Sequence, residues 1–153
     1  VIEEKYHINI VPIAGAGAAG GMGGGFYAFL NARLKRGVDM VLDAIGFDTI
    51  IQGADLVITG EGKIDSQTAK GKTAAGVLAR AKAQDIPVVA IAGRVERCDS
   101  VAQMGFAGIY PILEEKVPLK VAMQADFAAA NVEKTVKNLH ISQIFRTFAG
   151  SNK

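Results

Sequence analysis

Apolar positions along this chain change their period near residue 54. Beyond it, short unbroken apolar runs alternate with helical stripes. Asp55-Leu56-Val57-Ile58-Thr59 is followed by an alanine-rich helical segment at residues 73–84, and Pro87-Val88-Val89-Ala90-Ile91-Ala92 by a short helix at residues 100–104. Gly108-Ile109-Tyr110-Pro111-Ile112 is the third run, and residues 119–148 read as helical throughout with a break near Asn131. Short apolar runs bounded by turn residues predict buried strands. Their alternation with helices predicts an α/β fold with a parallel sheet.

Residues 1–53 do not share this alternation. Residues 8–14 read as a short extended segment in which Pro12 rules out a central strand. Phe26, Phe29, Leu30 and Leu34 recur at helical spacing, with Gly37 ending the helix at residues 26–34. Val38, Val41, Leu42 and Ile45 form a second stripe closed by Gly46. With no buried strand, this region is expected to be a separate unit, its boundary near Gln52-Gly53.

Composition narrows the function. Of the 153 residues, 50% are hydrophobic and 21% charged, the profile of a globular domain. A net charge of +2 with no basic run argues against nucleic acid or an anionic membrane surface as a partner. No apolar stretch reaches the roughly 18 residues of a membrane span, and the N-terminus lacks the order of a signal peptide. A cytoplasmic protein is expected. The single cysteine, Cys98, allows neither an internal disulfide nor a multi-cysteine metal site and reads as a loop spectator. His7 and His140 are isolated and read as incidental. The chain lacks a starting methionine and is expected to be processed or part of something longer.

Right-handed crossovers would bring the strand C-termini to one edge of the sheet, where ligands of open α/β sheets bind. The loops at residues 60–71, 93–100 and 113–118 should converge there. The first carries Gly60-Glu61-Gly62-Lys63-Ile64-Asp65-Ser66-Gln67-Thr68, read as a tight loop after a buried strand. Carboxylates that can hold magnesium or accept a hydroxyl proton, mixed with cations, suit phosphoryl transfer. Lys70-Gly71-Lys72-Thr73 resembles the end of a P-loop, but Ser66 stands where that motif needs glycine. Lys72 and the helix start at Thr73 could still hold a phosphate, or could be an ordinary helix start with a solvated lysine.

Gly15-Ala16-Gly17-Ala18-Ala19-Gly20-Gly21, followed by Met22-Gly23-Gly24-Gly25, matches G-x-G-x-x-G only loosely. Lys35 and Arg36 stand near where a dinucleotide site would place its acid. Two readings stay open: backbone N–H groups around an anion, from Gly15, Gly17, Gly20 and Gly21, or close helix packing.

Together, the glycine stretch, the block Ala54-Asp55-Leu56-Val57-Ile58-Thr59-Gly60-Glu61-Gly62-Lys63-Ile64-Asp65, and Gln67-Thr68-Ala69-Lys70-Gly71-Lys72 are similar to the type I glycerate kinase family. Pro87-Val88-Val89-Ala90-Ile91-Ala92-Gly93 extends the resemblance. It implies an ATP- and Mg2+-dependent phosphorylation of D-glycerate, usually to the 2-phosphate. It implies two α/β domains with a cleft between them. Residues 54–153 would be the closing part of a Rossmann-like domain and residues 1–53 the end of an inserted one, with an N-terminal portion missing. Such a fragment is expected to be inactive alone and, with an exposed sheet edge, to dimerise or dissolve poorly. The resemblance carries Glu61, Lys63 and Asp65 over as catalytic candidates, with Asp65 as general base or magnesium ligand. Gln67, Thr68 and Lys72 follow, with the glycine loop, for substrate or phosphate. The alternatives are a stand-alone nucleotide- or phosphate-binding α/β module and, more weakly, an NAD-binding domain.

Overall fold

The structure, a computed structural model, describes residues 1–68, 71–96, 98–113, 117–140 and 144. It divides into two compact units, residues 1–41 and 42–153.

The first unit holds helices α1 (Ile2–Tyr6) and α2 (Ala18–Leu30) and the start of α3 (Gly37–Ala44). Residues 8–14 form no strand. They end in turns, with Ile13 N bonded to Ile10 O and Ala16 N to Ile13 O. Helix α2 stops at Leu30, four residues earlier than the apolar spacing predicts, because Asn31 adopts a left-handed conformation and returns its N–H to Phe26 O. Asparagine tolerates that conformation better than most residues. Gly37 does not end a helix: it begins α3. Tyr6 meets Phe29 edge-on, with ring centroids 5.0 Å apart.

The second unit carries the sheet. Three parallel strands, β1 (Val57–Ile64), β2 (Val88–Val95) and β3 (Gly108–Pro111), lie side by side in sequence order. Helix α5 (Thr73–Lys82) connects the first pair and α6 (Asp99–Ala102) the second, preceded in the chain by α4 (Phe47–Ile50). The α/β reading with a parallel sheet therefore holds. β2 is central and almost wholly buried from Val88 to Ala92. Helix α5 buries Ala74, Gly76, Val77, Leu78 and Ala81; the small residues among them let it lie close to the sheet. Ile64, Ala90, Ala92 and Val101 form one core cluster, and Val89, Leu139 and Ile144 another. Arg80 on α5 reaches Asp43 and Asp48, the latter at 2.6 Å, which ties α5 to the segment before the sheet.

The closing helical region breaks at a different place from the expected one. Helix α7 (Leu119–Ala122) ends at Met123, and α8 (Ala125–Lys137) starts after Gln124, whose backbone is extended. Asn131 lies inside α8, where its side-chain amide donates to Phe127 O at 2.7 Å and no longer competes with the helix. Residues 141–143 and 145–148 of the expected helix lie outside the described residues. No helix among the described residues is long and apolar enough to cross a membrane.

Candidate functional site

Glu61 and Lys63 lie on a strand, not in a loop. β1 runs on through Gly60-Glu61-Gly62-Lys63 to Ile64, pairing Glu61 with Ala92, Lys63 with Arg94 and Ile64 with Val95. At this point of the strand pair the glycine that matters is on the partner strand. A Cβ on Gly93 would stand 2.5 Å from Gly62 O, so glycine there lets the two strands approach closely. The strands' C-terminal ends thus share one edge, with Lys63 and Arg94 as in-register neighbours.

Asp65 follows β1 directly and organises the next turn. Its Oδ1 accepts the backbone N–H of Gln67 at 2.9 Å and of Thr68 at 3.3 Å. Thr68 Oγ1 in return accepts the Asp65 N–H at 3.2 Å. This is the reciprocal arrangement of a capping box, made with aspartate and threonine. The fully buried Thr68 hydroxyl donates to Glu61 Oε2 at 3.4 Å. The other Glu61 oxygen accepts the Ala74 N–H in the first turn of α5 at 2.9 Å. Lys72, the N-cap residue of α5, has no side-chain acceptor to offer that turn; β1 supplies one. One helix-start donor that a phosphate would use is thereby held by a carboxylate of the protein itself.

Two ammonium groups flank Asp65. Lys63 Nζ lies 3.2 Å from Asp65 Oδ2 and 2.8 Å from Glu96 Oε2, while Lys72 Nζ lies 3.5 Å from Asp65 Oδ1. The bond from Lys63 lowers the Asp65 pKa, and the Gln67 N–H and the Lys72 charge add to the effect against the opposing pull of desolvation. Glu96 first, and Asp65 second, raise the pKa of Lys63. Both side chains are therefore charged at neutral pH. Gln67 is exposed and brings only its backbone N–H to this network among the contacts described.

The glycine stretch, in the other unit, shows the packing reading at two of its positions. Gly24 is buried, donates its N–H to Ala16 O at 2.8 Å, and would place a Cβ 2.7 Å from Ile10 Cδ1. A Cβ on Gly23 would collide with Gly15 O. These two glycines serve packing. Gly17, Gly20 and Gly21 are exposed with open space where a Cβ would stand. Ala19, Gly20 and Gly21 form a left-handed run inside the span of α2. Gly15 is also left-handed, beside Leu34.

Two residues at the sheet edge escape the sequence reading: Glu96, which grips Lys63, and Arg94, whose guanidinium donates to Val117 O at 3.0 Å. A signal for both exists. Gly62-Lys63-Ile64-Asp65 and Gly93-Arg94-Val95-Glu96 repeat one pattern of glycine, cation, aliphatic and acid. Among the described residues, no three His, Cys, Asp or Glu side chains converge as a metal cage.

This arrangement of acids and cations beyond a parallel strand coincides with a family match: the profile of the glycerate kinase family covers residues 1–144. The chain belongs to that family. It is 48% identical over 129 residues to the glycerate kinase of Bacillus subtilis (strain 168), covering 84% of this chain and 33% of the relative. It is 42% identical over 114 residues to the glycerate 2-kinase of Escherichia coli (strain K12), covering 74% and 30%. The crystal structure of a protein named as glycerate kinase 2 from Salmonella typhimurium LT2 superposes over 99% of this chain and 37% of its own, with a TM-score of 0.58 at 35% identity. The chain thus spans about a third of the length of these glycerate kinases.

Proposed function

We propose that this chain contributes part of the active site of an ATP-dependent kinase that phosphorylates D-glycerate, with 2-phosphoglycerate as the product. The observation that carries the proposal is the Lys63–Asp65–Lys72 cluster at the sheet edge, in a chain belonging to the glycerate kinase family. Phosphoryl transfer relies on positioning and on stabilising charge at the phosphoryl oxygens. Lys63 and Lys72 suit that role: two ammonium groups are held near one carboxylate, half exposed, and directed by it. Each could turn toward a phosphate or the glycerate carboxylate while Asp65 limits its swing.

Asp65 could serve as general base or as metal holder, and its lowered pKa favours the second. A carboxylate whose pKa is lowered is a weaker proton acceptor at neutral pH. Magnesium is commonly bound by one or two carboxylates with substrate phosphates and water completing the shell. The single carboxylate of Asp65 fits that mode once Lys63, which pairs with its Oδ2, turns to the phosphates. Asp65 would hold the ion, which would supply further charge neutralisation at the phosphates. Glu61 acts as a positioning residue, because its oxygens hold the α5 start and the Thr68 hydroxyl. Gly17 and Gly20 remain candidates for backbone donation to an anion, whereas Gly21 already gives its N–H to Gly17 O at 3.3 Å. The cytoplasm is the expected compartment.

The test is direct. The full-length protein is incubated with D-glycerate and magnesium-ATP, and phosphorus NMR follows the products. A 2-phosphoglycerate resonance that depends on both substrates supports the reading. ATP left intact in the presence of D-glycerate would refute it.

A further inference from the structure

On the edge of the sheet beyond Lys63 lies a recess of about 420 Å³, lined by β1, β2 and helices α7 and α8. Its volume falls in the range of small-ligand sites, about 300–1,000 Å³. Its construction is two-ended. Gly62 and Gly93 contribute backbone without side chains, so a flat group can lie against the strands. Leu113, Leu119 and Met123 supply apolar walls. Leu119 and Met123 stand one helical turn apart and are 74% and 75% exposed, unusually open for large apolar side chains that line a recess. At the other end stand Lys63 and Arg94.

The two cations are cross-strand neighbours in register. Like charges placed opposite each other on adjacent strands destabilise a sheet unless an anion offsets them. Lys63 has Glu96 and Asp65 for that purpose. The described contact of Arg94 is with a neutral carbonyl, Val117 O. That bond ties the end of β2 to the segment leading into α7, and so sets the apolar wall relative to the cations.

A ligand for this recess needs an apolar plane at one end and negative charge at the other. D-Glycerate, a three-carbon chain of hydroxyls and a carboxylate, offers no apolar part. From this juxtaposition we infer that the recess binds the nucleotide: the purine ring packs between the glycine backbone and Leu119 and Met123, and Arg94, with Lys63, faces the phosphates. The inference rests on the kinase reading for the presence of a nucleoside triphosphate, and it assigns two apolar residues and one cation that reading does not use.

The experiment measures binding of a fluorescent ADP analogue to the full-length protein, with D-glycerate turnover followed separately. Met123→Glu and Leu119→Asp put charge into the wall at exposed positions, so neither should disturb folding; thermal melting checks this. The expected result is at least a tenfold loss of ADP affinity in each, with the KM for D-glycerate within twofold of the parent. Met123→Leu should restore the affinity lost in Met123→Glu. Arg94→Gln should weaken ADP more than adenosine. Unchanged ADP affinity in both wall variants would overturn the inference, as would a loss confined to the KM for D-glycerate, or a parent protein that binds no ADP. If ADP binding responds to Met123 but no phosphoglycerate forms, the kinase reading fails and the base site stands.

Discussion

Glu61 on β1 accepts the backbone N–H of Ala74 at 2.9 Å, 13 positions further along the chain. A helix start usually finds its acceptor in the residue at its own cap, but Lys72 occupies that place here. The strand therefore caps the helix, and the negative charge also suits the positive end of the helix dipole. Glu61→Ala should lower stability by about 1–2 kcal/mol, the usual cost of a lost cap. Glu61→Gln keeps an acceptor oxygen and should lose less than half of that in a urea titration. If Glu61→Gln abolishes turnover at unchanged stability, Glu61 takes part in chemistry and the positioning role is wrong.

Thr68 is the hinge between Glu61 and Asp65. Its hydroxyl is fully buried, accepting from one backbone N–H and donating to one carboxylate. Thr68→Val has nearly the same shape but leaves the Asp65 N–H without this partner. An unsatisfied buried group costs about 1–3 kcal/mol, and a fall of the urea midpoint by that amount is expected. Thr68→Ser retains both bonds and gives up only a methyl group, worth about 0.8 kcal/mol. Equal losses in the two variants would mean that packing, and not the hydroxyl, matters at this position.

The charge cluster predicts a pH signature. The Asp65 pKa is lower in the folded chain than its unfolded value of about 3.9. Its contribution to stability is therefore fully present above that value and is lost as pH falls through the lower folded value. Lys63 has the opposite sense. Its pKa is raised, so its contribution is fully present below the unfolded value of about 10.4 and is lost as pH climbs through the folded one. Between about pH 5 and 9 neither group titrates, and this cluster should give a flat stability profile there. Asp65→Asn should melt below the parent at pH 7, with the difference shrinking toward pH 3. It should also reduce glycerate turnover at least tenfold in the full-length protein; unchanged turnover would remove Asp65 from the site.

The legibility of this chain follows the range of the interactions. The strands announce themselves as apolar runs at residues 55–59, 87–92 and 108–112. Only the central β2 is covered on both faces, as a continuous aliphatic run requires, whereas β1 leaves Ile58 half exposed and β3 is only partly buried. Candidates Glu61, Lys63, Asp65, Thr68 and Lys72 stand close in sequence, and the structure brings them into one network. Less legible is what depends on contacts distant in sequence. The glycines at residues 60 and 62 read locally as a turn, because only the partner strand reveals that Gly62 meets Gly93. Glu96 is 33 positions from Lys63 and carries no local mark of pairing with it. The end of α2 is local, yet the helical spacing of Phe26, Phe29, Leu30 and Leu34 runs past it, and only the left-handed preference of Asn31 marks the stop.

The glycine stretch offers a prediction that separates packing from permissiveness within three residues. Gly23 and Gly25 both lie in α2. A Cβ on Gly23 would strike Gly15 O, a backbone atom that cannot swing aside, whereas a Cβ on Gly25 meets nothing within 4 Å. Gly23→Ala should therefore force the turn and helix apart at a cost of about 1–3 kcal/mol, the usual range for overpacking. Gly25→Ala carries no such clash and reduces the freedom of the unfolded chain. It should stabilise the helix by about 0.5–1 kcal/mol. Thermal melts of the two variants, followed by circular dichroism at 222 nm, should move in opposite directions. A shift in the same direction for both would show that α2 is held by something other than its contact with the Gly15 turn.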